Sequence, residues 1–219
     1  MKSRFKDRIN KKANQKKPFF SSRIIGRAEF ASIAIIVASF IIGIILYPRM
    51  PEYMASHWGF SGKADGYSSR AFGIFFMPIL SAIMLIMLAL FRNIDPLQKN
   101  IEKFRRQFDN FIIIMMFFMF YLYMLTIFWN LGMRFSMIRL LSPAFAALFY
   151  YTGVLVENSR MNWFIGIRTP WTLSSENVWK KTHELGGKLF KATSFVALLG
   201  IFFSEYAMIG FLFLSIASA

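Results

Sequence analysis

The chain has 219 residues, of which 56% are hydrophobic and 17% charged, with 27 Phe and 14 Met. A soluble domain carries about a quarter charged residues, so the composition points away from a water-soluble globule and towards a membrane. The 26 Lys and Arg exceed the 11 Asp and Glu, giving a formal charge of +15. The absence of cysteine excludes disulfides, iron–sulfur clusters and thiolate catalysis. Two histidines, His57 and His183, are fewer than the usual zinc sites require, so no metal and no cofactor is expected.

Residues 1–27 form a strongly basic arm with ten Lys and Arg. It has no apolar stretch or cleavage pattern of a signal peptide, so the first helix reads as a retained anchor. The arm is expected to be disordered and to act as a topology signal, with anionic membrane lipids as its attractive surface. No direct nucleic acid partner is expected.

A bilayer core of about 30 Å needs roughly 20 apolar residues in helix. Uncharged runs of that order occupy residues 30–47, 71–91, 110–133 and 140–156. Residues 192–204 and 206–219 are shorter. The first becomes adequate if residues 187–191 join it and Lys188 and Lys191 snorkel. The expected fold is an all-α integral membrane protein, a bundle of about six spans. Pro78 should bend the second, and Ser142-Pro143 reads as the start of the fourth. Small residues at four-residue spacing, Ala34 with Ala38 and Ser39 with Gly43, suggest a close contact on the first. Lys and Arg alternate between connections, with 21 on one side and 5 on the other. This assigns the N-terminus and the second and fourth connections to the cytoplasm.

Transporters place ionisable groups near mid-membrane. Here Glu29, Asp109 and Glu157 fall at the ends of runs, and the polar residues inside, such as Ser39, Ser81, Thr126, Asn130 and Thr152, are mild. No catalytic set is evident. His183, Glu184, Glu176 and Ser174 have the spacing of a solvated amphipathic helix, so an enzyme is not expected.

Two connections carry information. The first, residues 48–70, is expected outside. Pro48 and Pro51 should open it in an extended conformation, and Gly59, Gly62 and Asp65-Gly66 mark turns. With Tyr53, His57, Trp58, Phe60 and Tyr67 it fits either a cap over the bundle or a recognition surface. The fourth, residues 157–191, is expected inside. Gly166 and Pro170 should break helix around Arg168 and Thr169, and Ser174 or Ser175 should cap a following helix. Val178, Thr182, Leu185 and Leu189 share one face of it, as in a segment lying on the inner leaflet, and Gly186-Gly187 would turn the chain into the fifth span. Arg168 suits a lipid phosphate, a partner carboxylate, or pairing with Glu157 or a helix end.

The run Asn162-Trp163-Phe164-Ile165-Gly166-Ile167-Arg168-Thr169-Pro170-Trp171-Thr172-Leu173, with Val178, Trp179 and His183, closely resembles the signature of the SdpI immunity-protein family. Pro48 to Pro51, His57, Gly62 and Asp65 look like the domain of unknown function that often precedes it. The likeness covers the chain from about Glu29 onwards, with the basic arm outside it. It divides the chain into the arm 1–27, a first segment 28–91 with outer loop 48–70, and a second segment 92–219 with signature loop 157–191.

The resemblance implies a bacterial cell-membrane protein that protects its producer from a secreted toxin peptide. It further implies signalling by holding a cytosolic repressor protein at the membrane. Asn162, Gly166, Arg168, Thr169, Pro170, Trp171, Trp179 and His183 would then bind lipid or partner, and Pro51, His57, Trp58, Gly62 and Asp65 would face the toxin. A homo-oligomer is compatible with this reading. The alternative is a small transporter or channel of unknown substrate.

Overall fold

The computed structural model describes residues 26–59 and 62–199. The arm before Gly26, Phe60, the end of the fifth run and the sixth run lie outside the described residues. The elements are α1 (Arg27–Leu46), a 3-10 turn (Tyr47–Arg49), β1 (Tyr53–Trp58), β2 (Ala64–Ser69), α2 (Arg70–Ile94), α3 (Gln98–Lys103), α4 (Arg105–Asn130), α5 (Met137–Asn158), α6 (Pro170–Ser174) and α7 (Glu176–Leu199). Four of these, α1, α2, α4 and α5, are long and apolar enough to cross a membrane. They correspond to the four expected spans, each extended by one to five residues at one or both ends except where α1 and α4 stop short. The chain is a mostly helical membrane protein, with one two-stranded hairpin added.

Helix α4 is the centre of the bundle and packs on α1, α2 and α5, while α7 packs chiefly on α5. The exposed apolar side chains of α1 and α2, such as Phe30, Ile44, Phe72 and Ile86, cover the outside, as helices facing lipid require. The hydroxyls within the spans do not line a polar path. Ser39, Ser81, Thr126 and Thr152 each donate to the carbonyl four residues back, at 2.8–3.0 Å.

The contact stripe on α1 is Ser32, Ile36, Ser39 and Gly43. Ser39 and Gly43 therefore meet the expected close contact, whereas Ala34 faces outward. A Cβ on Gly43 would lie 2.8 Å from Ile74 and 2.9 Å from the Tyr123 hydroxyl. At the other end of α1, Glu29 pairs with Arg92 at 2.8 Å, and Arg92 lies 3.6 Å from Asp109. Arg105 completes the group, 3.4 Å from Asp109. These three helices are thus tied by charges, of which Glu29 and Arg92 are largely removed from water, and removing one partner of such a buried pair costs about 3–5 kcal/mol.

Three expectations about local structure are corrected. Helix α5 starts at Met137 with Ser136 as its cap, because the Ser136 hydroxyl accepts from the Arg139 N–H one turn before Pro143. Ser142 is inside the helix and bonds the Ile138 carbonyl at 3.1 Å. Pro48 lies in the 3-10 turn and not in an extended segment. Asp65 and Gly66 lie within β2, and the turn is made at Gly59 and Gly62.

Gly186 and Gly187 do not turn the chain. They sit in mid-helix, where α5 and α7 approach most closely. A Cβ on Gly187 would lie 2.9 Å from the Gly153 carbonyl and 2.7 Å from Glu157 Cβ, and one on Gly153 would meet the Gly187 carbonyl at 2.6 Å. Lys191 then reaches Glu157, which is why Glu157 is not the partner of Arg168. The buried face of α7 is Trp179, His183, Gly186 and Gly187, and Val178 and Leu185 point away from the bundle.

Substituting Gly187 by Leu should separate α5 from α7, since overpacking costs about 1–3 kcal/mol or more. Thermal unfolding in detergent should show a clearly lower Tm for Gly187→Leu, while Ala34→Leu on the exposed face leaves it near the wild-type value.

Candidate functional site at the signature loop

The chain between α5 and α7 is irregular backbone, so its amides and carbonyls need partners from side chains. Asn162, fully buried, supplies four bonds. Its Oδ1 accepts from Phe164 N–H at 3.0 Å and Ile165 N–H at 2.6 Å, and its Nδ2 donates to the carbonyls of Arg160 at 2.8 Å and Ile165 at 2.9 Å. Asp95, the buried C-cap of α2, accepts from Trp163 N–H at 2.8 Å and from Leu97 N–H at 2.6 Å. Asn100 donates to the Met161 carbonyl at 2.9 Å. The sequence reading did not single out Asp95 or Asn100. Asp95 before Pro96 is an Asx-turn signal that could have marked it.

His183 and Trp179 form the floor. The two rings stack, with centroids 3.9 Å apart, and Trp179 Nε1 donates to the Ser159 carbonyl at 3.3 Å. Ile167 N–H donates to His183 Nε2 at 2.9 Å. That nitrogen must carry a lone pair, so Nδ1 holds the proton and donates to the Trp179 carbonyl at 2.7 Å. Gly166 lies at φ +114°, and a side chain there would run into the imidazole. Burial pushes the His183 pKa below its ordinary value of 6.5, against the opposing effect of the bond to Trp179. The ring is therefore neutral in the folded loop. Thr169 caps α6 and Thr172 Oγ1 donates to the Ile167 carbonyl at 2.9 Å.

The expected site residues thus divide. Asn162, Gly166, Thr169, Trp179 and His183 build the scaffold. Arg168, Pro170 and Trp171 stand outside it, joined by Trp163, and the two tryptophans are 72% and 53% exposed. One Arg168 guanidinium nitrogen donates to the Trp163 carbonyl at 2.5 Å. Two cavities border the scaffold. An apolar one of about 290 Å³ lies beneath Phe164 to Ile167, and a polar cleft of about 670 Å³ lies between α3 and the start of α7. Among the described residues, no cluster of three or more His, Asp or Glu could hold a metal.

At the opposite end of the bundle the hairpin folds down onto the helices. Met54 and Ala55 are fully buried, and Asn130 at the end of α4 bonds both backbone groups of Ala55, at 2.8 Å and 3.0 Å. Trp58 meets Trp129 edge-on at 5.8 Å. The Pro51 carbonyl accepts from Arg70 at 3.3 Å, and Gly62, at φ +69°, closes the turn. His57 Nδ1 lies 2.5 Å from Asp65 on the exposed face. Gly62 is buried in the turn, while Pro51, His57, Asp65, Tyr53 and Tyr67 are exposed.

Asn162→Ala should loosen the loop by about 2–4 kcal/mol, since it strips partners from buried amides. Limited proteolysis should then cut between Arg160 and Arg168 in the variant but not in the wild type. Lowering pH should do the same more gradually. The released loop takes up a proton on His183 before the folded one does, so stability is full above the ordinary pKa of 6.5 and declines below it. His183→Gln should weaken the loop at every pH and remove that decline.

Comparison with known proteins agrees with this architecture at both ends. Residues 34–82 match a domain of unknown function, DUF1648, and residues 158–219 match the SdpI/YfhL protein family. The immunity protein SdpI of Bacillus subtilis (strain 168) is 27% identical over 184 residues, covering 84% of this chain and 86% of that protein. No solved structure matches. The hairpin with its flanking helices and the signature loop are the two matched parts, and by them the chain is a membrane protein related to the SdpI/YfhL family.

Proposed function

We propose that this chain is a membrane immunity protein that gives resistance to a secreted toxic peptide. The observation that carries the reading is the similarity to an immunity protein along 84% of the chain. The excess of Lys and Arg on one side supports a plasma-membrane topology with the N-terminus and signature loop in the cytoplasm. The hairpin then faces outward and meets the toxin through His57, Asp65 and their exposed aromatic neighbours.

In this reading the signature loop works through what it exposes. Trp163 and Trp171 suit the headgroup layer, and Arg168 between them suits a phosphate or carboxylate. The partner is a cytosolic repressor held at the membrane, with anionic lipid as part of the same surface. Asn162, Trp179 and His183 position that surface without touching the partner. The function is non-enzymatic. The transport alternative is weakened because the hydroxyls within the spans bond their own helices.

Expressed in a toxin-sensitive bacterium, the chain should raise survival on exposure to the peptide toxin that the Bacillus subtilis relative counters. Arg168→Ala and Trp171→Ala should each reduce survivors about tenfold or more at equal membrane abundance, as truncation of an interface anchor does. Full protection by both variants would overturn the role given to the loop. No protection by the wild type would overturn this toxin as the ligand.

A further inference from the structure

The hairpin has one edge closed and one edge open. Among the described residues its sheet contains β1 and β2 alone. The Arg70 N–H bonds the Glu52 carbonyl, so Tyr53 with Ser69 and Ala55 with Tyr67 are pairs whose own backbone groups point away from each other. Asn130 confirms this for β1, because its amide takes both the N–H and the C=O of Ala55 from outside the sheet. The side chain of Asn130 thus does for β1 what a third strand would do. By the same pairing, the last before the register breaks between Ala55 and His57, Tyr67 directs its N–H and C=O to the outer edge of β2, where they make no backbone bond to another described element.

An edge with unpaired groups is a template for another extended chain. Tyr67 also lines a groove of about 540 Å³, together with Lys63, Trp129, Arg134 and Phe135. The charged side chains in it are both cationic. Arg134 lies over Trp129, 4.1 Å from the ring centroid, with Nη1 on the Trp129 carbonyl at 2.6 Å. Two cations oppose pairing of this edge with a second copy of itself and favour a partner of opposite charge.

We propose that the outer edge of β2 binds an extended segment of a secreted peptide as a third strand, with a carboxylate of that peptide between Lys63 and Arg134. The backbone of Tyr67 supplies the strand bonds, and Phe135 and Tyr67 receive its apolar side chains. This deepens the immunity reading and rests on it for the secreted origin of the peptide.

The test uses the full chain in lipid nanodiscs and a fluorescein-labelled hexapeptide of alternating valine and threonine with a free C-terminal carboxylate. Anisotropy should rise saturably. The C-terminal amide of the same peptide, Lys63→Glu and Tyr67→Pro should each weaken binding about tenfold. Tyr67→Pro removes an N–H that the hairpin ladder does not use, and unchanged Trp fluorescence would show that Trp58 still packs on Trp129. Absence of saturable binding, or equal binding by the amide and both variants, overturns the proposal. Concentration-dependent dimers that Tyr67→Pro abolishes would give the edge to a second copy and overturn it as well. The immunity reading fails separately: if wild-type chain binds the hexapeptide yet protects no cell, the edge stands and the toxin assignment falls.

Discussion

In hydrocarbon every backbone N–H and C=O must find its partner within the protein. Serine and threonine hydroxyls in the spans likewise turn back onto their own helix, Ser39 to the Ile35 carbonyl and Thr152 to the Leu148 carbonyl among them. Irregular backbone is therefore displaced to the two ends of the bundle. There each end is closed by a side-chain amide. Asn130 satisfies Ala55 in the hairpin, and Asn162 satisfies four groups of the signature loop. The helices make the surface that lipid requires, and these two asparagines allow non-helical structure to stand on it.

The same requirement explains why the signature is long. A loop that presents Arg168 and two tryptophans must first hold its own backbone in place. Asn162, Gly166, Thr172, Trp179 and His183 are spent on that, with Asp95 and Asn100 contributed from the connection between α2 and α4. The neutral ring of His183 is part of this economy. As an acceptor at Nε2 and a donor at Nδ1 it closes two backbone groups with one side chain, which a charged imidazole could not do. Chemistry towards a partner is left to side chains that the scaffold does not use.

Much of this was legible in the sequence and some was not. The four spans were legible because each is a continuous apolar run, and the signature because its residues adjoin. The strands were missed since Asp65-Gly66 has turn composition, yet its conformation is decided by pairing with β1 and by Asn130, 75 residues from Ala55. The start of α5 was misplaced because Ser142-Pro143 mimics a cap that Ser136 already supplies. Gly186-Gly187 reads as a turn locally and serves as a contact globally, since the Gly153 backbone that it meets is far away in the chain. The exposed Val178 and Leu185 follow from the same contact: α7 turns its glycines to α5 and its branched residues outward. For the strands and for Gly186-Gly187, the deciding partner is distant in sequence.

Helix α2 has a place in the architecture that bears on the signalling reading. Its first residue, Arg70, bonds the hairpin twice, through its N–H to the Glu52 carbonyl and through Nε to the Pro51 carbonyl. Its C-cap, Asp95, bonds the Trp163 N–H in the signature loop. Helix α4 likewise ends on the hairpin at Asn130 and begins beside Arg92 at Asp109. A packed helix moves as a rod more readily than it deforms. The hairpin is thus coupled to α2 and α4 at one end of the bundle. At the other end their displacement falls on the carboxylate that holds Trp163, whose carbonyl holds Arg168. Bonded groups thus run from the hairpin at one end of the bundle, through Arg70 and Asp95 of α2, to the Trp163 and Arg168 surface at the other.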